Sequence, residues 1–259
     1  MKKIQIGIIG GTRGLGRWMA HFFTKEGFPV QTAGRTSGLD LPTMAQQCPV
    51  VIVSVPIGVT RQVIRSIGPH MPKESLLMDV TSLKEEPVKA MLASSCSEVI
   101  GLHPLFGPRI KTLKGHNIVL CPGRSRKWLP WVREIFIKNG AILIETQPDH
   151  HDACMALVQG LNHLNSITLG LTLAGSGFAL EELQQYATPI LKTKLDILKK
   201  IFSRNSRLYA EIITLNPHIQ KVVTNYMNSL SELKELIDRK DSRSLQKRIE
   251  NTKLFKYGA

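Results

Sequence analysis

A run of apolar residues that ends abruptly on glycine restricts what this chain can become from its first turn. Ile4-Gln5-Ile6-Gly7-Ile8-Ile9 leads into Gly10-Gly11-Thr12-Arg13-Gly14-Leu15-Gly16, and Arg17-Trp18-Met19-Ala20-His21-Phe22-Phe23 resumes with helical spacing. Strand, tight glycine turn and helix in this order open a Rossmann-type unit. Glycines let the backbone approach a pyrophosphate, whose charge is met by the free amides of the helix N-terminus. The strict G-x-G-x-x-G spacing is broken, because Arg13 stands where the middle glycine belongs. The spacing present instead, Gly10-x-x-x-Gly14-x-Gly16, is that of other nicotinamide-binding turns. Gly10, Gly11, Thr12, Arg13, Gly14, Leu15 and Gly16 are therefore the expected cofactor-binding turn.

The second strand reads Pro29-Val30-Gln31-Thr32-Ala33-Gly34 and runs into Arg35-Thr36-Ser37. An acidic residue at this strand end would bind the ribose hydroxyls of NAD. Gly34 takes that place, and Arg35, Thr36 and Ser37 offer a cation and two hydroxyls suited to a 2′-phosphate. Arg13 is a second candidate cation. The expected cofactor is NADP, with NAD second. Pro49-Val50-Val51-Ile52-Val53 is a third strand, and Ser54, Val55 and Pro56 form the loop that passes beneath the cofactor's ribose and phosphates in such folds. Leu76-Leu77-Met78-Asp79-Val80 is a fourth, with Thr81-Ser82-Leu83-Lys84 expected to open the next helix. Ser82 has two open readings there: a helix cap, or a site hydroxyl at the C-terminal end of a strand.

After a strand at 98 to 101 comes Gly101-Leu102-His103-Pro104-Leu105-Phe106-Gly107-Pro108, a turn-rich segment that holds one titratable ring. His103 is the expected proton-handling residue. Ile118 to Cys121, Trp128 to Lys138 and Ala141 to Ile144 continue the alternation of strand and helix, which closes near Gln147. Residues 1–147 are thus expected to form a dinucleotide-binding α/β domain of Rossmann type, and residues 148–259 an all-helical domain. The segment from Asp149 to about Ala174 is nearly apolar all round, as befits a helix buried in a core or a dimer interface. At 100° per residue His151, Gln159, Asn162, His163 and Ser166 share one stripe, which is expected to wall a pocket. The next helix carries Lys192, Asp196, Lys199 and Lys200 on one side, either a solvated face with an internal ion pair or a cationic clamp for an acidic substrate. Ser242 to Lys256 is expected to be a basic terminal helix.

Composition narrows the function classes. The hydrophobic share of 42% and charged share of 21% belong to a globular chain. No apolar run reaches the roughly 20 residues that span a bilayer. Glycines interrupt the N-terminal apolar run where a signal peptide would continue, so a cytoplasmic protein without membrane partners is expected. Cys48, Cys96, Cys121 and Cys154 show no C-x-x-C spacing, which argues against disulfides and against a metal site. The net charge of +14 is spread out without interleaved aromatics, so it suits anionic small molecules and not nucleic acid.

Taken together, these segments resemble the prephenate dehydrogenase family, the TyrA-type enzymes of tyrosine biosynthesis. The resemblance rests on Val53-Ser54-Val55-Pro56-Ile57-Gly58-Val59-Thr60, on Asp79-Val80-Thr81-Ser82-Leu83-Lys84 and on residues 101–108. It continues through His151-Asp152-Ala153-Cys154-Met155-Ala156-Leu157-Val158-Gln159-Gly160-Leu161-Asn162-His163, Thr188-Pro189-Ile190 and Leu208-Tyr209-Ala210-Glu211-Ile212. The absence of an attached chorismate mutase domain suggests the monofunctional form, and the short glycine turn looks most like archaeal-style members.

What the resemblance implies is an oxidoreductase with a helical dimerisation domain, a homodimer, and an active site between the domains. Prephenate would lose its hydroxyl proton to His103, its C4 hydride to the cofactor and its ring carboxylate as CO2, giving 4-hydroxyphenylpyruvate. Ser82 matches a serine that hydrogen-bonds the same region, and His151, Gln159, His163, Lys192 and Lys200 are the expected substrate-binding residues. Lys192 and Lys200 stand where many members place arginines, and the arginine matching Lys200 binds the substrate carboxylate; lysine lacks its bidentate fork. Alternatives that keep the fold are an arogenate or 4-amino-4-deoxyprephenate dehydrogenase, a deazaflavin-dependent NADP reductase, and a catalytically lapsed NADP-binding sensor.

Overall fold

The structure is a computed structural model and describes residues 4–34, 40–203 and 205–252. Seven strands form one sheet: β1 (Ile6–Ile9), β2 (Val30–Ala33), β3 (Val50–Val53), β4 (Leu76–Asp79), β5 (Glu98–Pro104), β6 (Asn117–Pro122) and β7 (Ile142–Glu145). Their order is β2-β1-β3-β4-β5-β6-β7, parallel from β2 to β5, with β6 antiparallel to β5 and β7 parallel to β6. All four residues of β1, β3 and β4 are buried, as continuous Val/Ile/Leu runs require when helices cover both faces. Burying each such side chain contributes about 1.5–3 kcal/mol.

Helices α1 (Gly14–Lys25), α2 (Leu41–Gln47), α3 (Ile57–Ile67), α4 (Glu85–Ser94) and α5 (Trp128–Lys138) clothe the sheet. Two cores result: one around Ile8, Phe23, Leu102 and Phe136, the other around Val51, Val53, Ile64, Met91 and Val99. The sequence reverses direction on either side of β1, so a crevice opens at the C-terminal ends of β1 and β3.

Two local expectations are corrected. His103 is not in a loop: β5 runs on to Pro104, and His103 pairs with Val119 of β6. The antiparallel partner converts a proline-rich stretch into a strand whose proline stands at its end, where no further ladder donor is needed. Nor does Ser82 open a helix, since α4 starts at Glu85 after Lys84, and Ser82 makes no hydrogen bond to a described residue.

The helical half comprises α6 (Pro148–Met155), a π-helical turn (Ala156–Leu161), α7 (Asn162–Ala174), α8 (Leu180–Gln185), α9 (Pro189–Ser203), α10 (Ser206–Thr214), α11 (Ile219–Asp238) and α12 (Ser242–Glu250). The segment expected as one helix is thus broken by a wider turn, which shifts the register of everything after it. Its C-terminal part, α7, contributes no buried residue within one chain. None of the described helices is long and apolar enough to cross a membrane.

Candidate functional site

The glycine turn behaves as its sequence demands. Gly10 has φ +86, and a Cβ there would stand 2.0 Å from the Ser54 carbonyl oxygen; Gly16 packs as tightly on Gly10. The turn is thereby held against the end of β3, with Ser54 N–H donating to Ile9 at 2.7 Å. Above Gly14 the opposite holds: a Cβ would meet nothing within 4 Å. The N-terminus of α1 has no side-chain cap, since Arg13 at the cap position is extended and exposed. Open space over uncapped helix amides is a cradle that fits a pyrophosphate. Thr12 and Leu15 flank it, Val55 and Pro56 follow Ser54 on the far side, and Gly34 packs on Thr12. Arg35 and Thr36, the expected 2′-phosphate ligands, lie outside the described residues.

A second constellation sits further along the sheet. His103 is 3% exposed, on the face of β5 that turns toward α4. Its Nδ1 lies 2.8 Å from His151 Nε2, and His151 Nδ1 lies 2.6 Å from Asp152 Oδ1. A carboxylate only accepts, so the proton positions follow in sequence. His151 donates from Nδ1 to Asp152 and accepts on Nε2 from the Nδ1–H of His103. The lone pair of His103 is left on Nε2, where the Gln159 amide donates at 3.4 Å. Burial, and then the charges of His151 and Lys84, hold the His103 imidazole well below the ordinary histidine value. The ring is therefore a neutral base with its free nitrogen aimed at Gln159.

Two features hold this chain of groups in place. Asp152 accepts the backbone N–H groups of Lys84 at 2.8 Å and Glu85 at 2.9 Å, so a residue of α6 caps α4 across the two halves. Its own carbonyl accepts from Asn216 Nδ2 at 2.8 Å. Beneath His103, fully buried Lys84 pairs with Asp79 and donates to the Leu102 carbonyl at 3.0 Å. Gly101 makes room for the lysine stem, since a Cβ there would lie 3.0 Å from Lys84 Cδ.

Of the expected stripe, the structure brings only His151 and Gln159 to His103. The π turn disperses the rest: Ser166 donates to the Asn162 carbonyl, and His163 meets Tyr209 edge to face with centroids 4.8 Å apart, its pKa lowered by burial. Lys192 and Lys200 are exposed on α9, and none of the described ion pairs joins either one, or Lys199, to Asp196. Leu195, Leu198 and Ile201 define the buried side of α9, and Lys200 points about 160° away from it at 100° per residue. Asp79, Lys84 and Asp152 join the site in addition to the expected residues. Their signal was present: charged residues inside otherwise apolar strand-end and helix-start segments must be paired when buried.

A cradle that fits a pyrophosphate and a relay ending on a buried neutral imidazole are thus set on a dinucleotide-binding fold of Rossmann type. Residues 34–145 match the family model described as prephenate dehydrogenase, nucleotide-binding domain, and residues 147–251 match prephenate dehydrogenase, dimerization domain. The chain belongs to the prephenate dehydrogenase family. A probable arogenate/prephenate dehydrogenase of Methanocaldococcus jannaschii is 35% identical over 92% of this chain and 58% of its own length. The T-protein of Enterobacter agglomerans is 31% identical over 92% of this chain and 63% of its own. The chain thus spans about three-fifths of these relatives. Among solved structures, prephenate dehydrogenase from A. aeolicus, in complex with hydroxyphenyl propionate and NAD+, superposes with a TM-score of 0.78 at 20% identity, covering 98% of this chain and 97% of that one. Synechocystis arogenate dehydrogenase gives 0.74 at 20% identity, covering 96% and 97%. At that identity the likeness is one of fold.

Proposed function

We propose that this chain is a prephenate dehydrogenase that uses NADP and works as a homodimer. The observation that carries the reading is the relay from Asp152 through His151 to His103, which leaves a neutral Nε2 lone pair beside Gln159. His103 Nε2 takes the proton of the substrate's C4 hydroxyl, and the positive charge this creates is shared through His151 toward the Asp152 carboxylate. A bound nicotinamide supplies the acceptor for the C4 hydride; loss of the C1 carboxylate as CO2 then returns its bonding electrons to the ring, which becomes aromatic. The Gln159 amide, whose Oε1 is buried without a partner, gives way to the hydroxyl and reorients toward it. In this reading Ser82 and His163 are further contacts of the bound substrate, and Lys192 and Lys200, exposed on α9, attract its carboxylates by charge alone.

NADP is favoured over NAD because Gly34 replaces the ribose-binding acid, with Arg13, Arg35 and Thr36 nearby in sequence. Homodimerisation is favoured by the apolar side chains that the helical half leaves in water: Tyr186 is 81% exposed and Ile190 71%. Four free cysteines suit the reducing cytoplasm. Arogenate is the second candidate substrate, since it differs from prephenate only in the side chain and one relative carries both substrates in its name.

The test is an absorbance assay of reduced-cofactor formation with prephenate and arogenate side by side, each with NADP and with NAD. Prephenate with NADP should give the highest kcat/KM. Turnover of neither substrate sinks the reading, faster turnover of arogenate reassigns the substrate, and a preference for NAD removes the cofactor argument.

A further inference from the structure

Outside the relay, three side chains that the proposed reaction does not use converge where the two halves meet. Glu85 is the first residue of α4, Asp149 the second of α6, and His218 immediately precedes α11. His218 Nε2 lies 3.0 Å from Asp149 Oδ1 and 3.9 Å from Glu85 Oε2, and the three donor atoms all fall within 4.8 Å of one another. An ordinary ion pair would account for the first distance, but the bond it needs is not made. Nε2 is buried without a hydrogen-bond partner, so the carboxylate stands close to the ring nitrogen yet off its axis.

That arrangement is poor for a proton and good for a metal ion. A cation on the ring axis of Nε2 has its other ligands to the side. Bonds of about 2.0–2.1 Å in a tetrahedron set neighbouring donors roughly 3.3–3.5 Å apart, and the two observed separations bracket this value. Charge agrees as well. The N-termini of α4, α6 and α11 bring partial positive ends of at most about +0.5 each, against three full carboxylates in Glu85, Asp149 and Asp152. One imidazole with two carboxylate oxygens selects an ion of zinc type over calcium or magnesium, which prefer oxygen alone.

We propose that Glu85, Asp149 and His218 form a three-donor site for a divalent transition-metal ion of zinc type, with water completing the coordination. The ion ties α4 of the sheet half to α6 and α11 of the helical half. It does so next to Asp152, which receives the Glu85 N–H and whose carbonyl is held by Asn216, two residues before His218. Its role is structural, fixing the frame in which the relay sits, and it holds whichever substrate the enzyme takes.

The experiment uses the whole chain, stripped with chelator and titrated with Zn2+ by calorimetry and with Co2+ by absorption. One equivalent of Zn2+ should bind, and a hundredfold excess over Kd should raise the Tm by roughly 5–10 °C. His218→Ala and Glu85→Gln should each weaken binding by at least the 10–100-fold that loss of an outer-shell partner costs. Should His218→Ala fail to fold, Glu85→Gln and Asp149→Asn, whose side chains are 46% and 74% exposed, carry the test. Absence of stoichiometric binding, or equal affinity in the variants, overturns the proposal. A thiolate charge-transfer band with Co2+ also overturns it, because it would assign the metal to Cys154, whose Sγ lies 3.6 Å from His150 Nε2.

Discussion

The sheet half and the helical half are held together by different means. The first buries nearly all of its apolar residues in two cores and satisfies itself within one chain. The second, over a hundred residues long, buries only Met155, Ala156, Leu195, Leu198, Ile201, Ile212 and Ile219 among its described apolar side chains. Leu171, Phe178, Tyr186, Ile190, Phe202, Met227 and Ile237 remain more than half exposed. The first half closes its own core, whereas the second leaves a broad apolar surface in water. Within it, α6 and the residues around Asn216, where Asp152 and His151 are pinned, behave most like the sheet half.

Four measurements would break or sharpen that contrast. The largest effect is expected at the point where the halves meet. His103→Asn should lower kcat by about 10²–10⁴-fold while affinity for the nicotinamide cofactor, proposed to rest on the glycine turn, stays within twofold. An unchanged kcat would remove His103 from the chemistry. Next, Lys84→Met leaves the buried Asp79 carboxylate without its counter-ion, held among the described residues only by Thr81, and should cost about 3–5 kcal/mol in denaturant unfolding. A loss under 1 kcal/mol would mean that the buried pair does not support the sheet. Third, Tyr186→Asp with Ile190→Asp should shift the elution volume from dimer to monomer and leave the unfolding of the sheet half in place. A dimer that survives both charges locates the interface elsewhere.

The smallest effect is a displaced pH limb. On the proposed mechanism His103 works only when neutral, and burial lowers its pKa, so it stays competent below the usual histidine range. The acid limb of kcat/KM should therefore lie below pH 6.5, with activity lost only as pH falls through the depressed value. A limb at or above 6.5 would place the ring in water.

Much of the sheet half was legible in the sequence because each element there follows a local rule. Apolar runs of four to six residues, punctuated by glycine and proline, mark the strands along the chain but not their order in the sheet; Trp128–Lys138 falls where its helical spacing predicts. The site was legible as residue types and not as geometry. His103, His151 and Gln159 were identified, but the path between them depends on a π turn that no periodicity of 100° per residue reveals. The cap of α4 is supplied by Asp152 from 67 residues away, so the nearby Ser82 looked like the natural candidate. Lys84 shows the same limit, since a lysine at a helix start reads as solvated until Gly101 opens a slot for its stem.

The pairing of His103 with Val119 has a consequence for how this protein can change over time. Side chains on a strand alternate between faces, so a slip of one residue in β5 against β6 would swing the imidazole to the opposite side of the sheet, away from His151. The connection between these strands, by contrast, runs through exposed Gly107, Pro108, Arg109, Lys111 and Lys114. Insertions should accumulate at those exposed positions, away from Ile110 and Leu113 that anchor the excursion to the core, while the strands on either side of it keep their length to the residue.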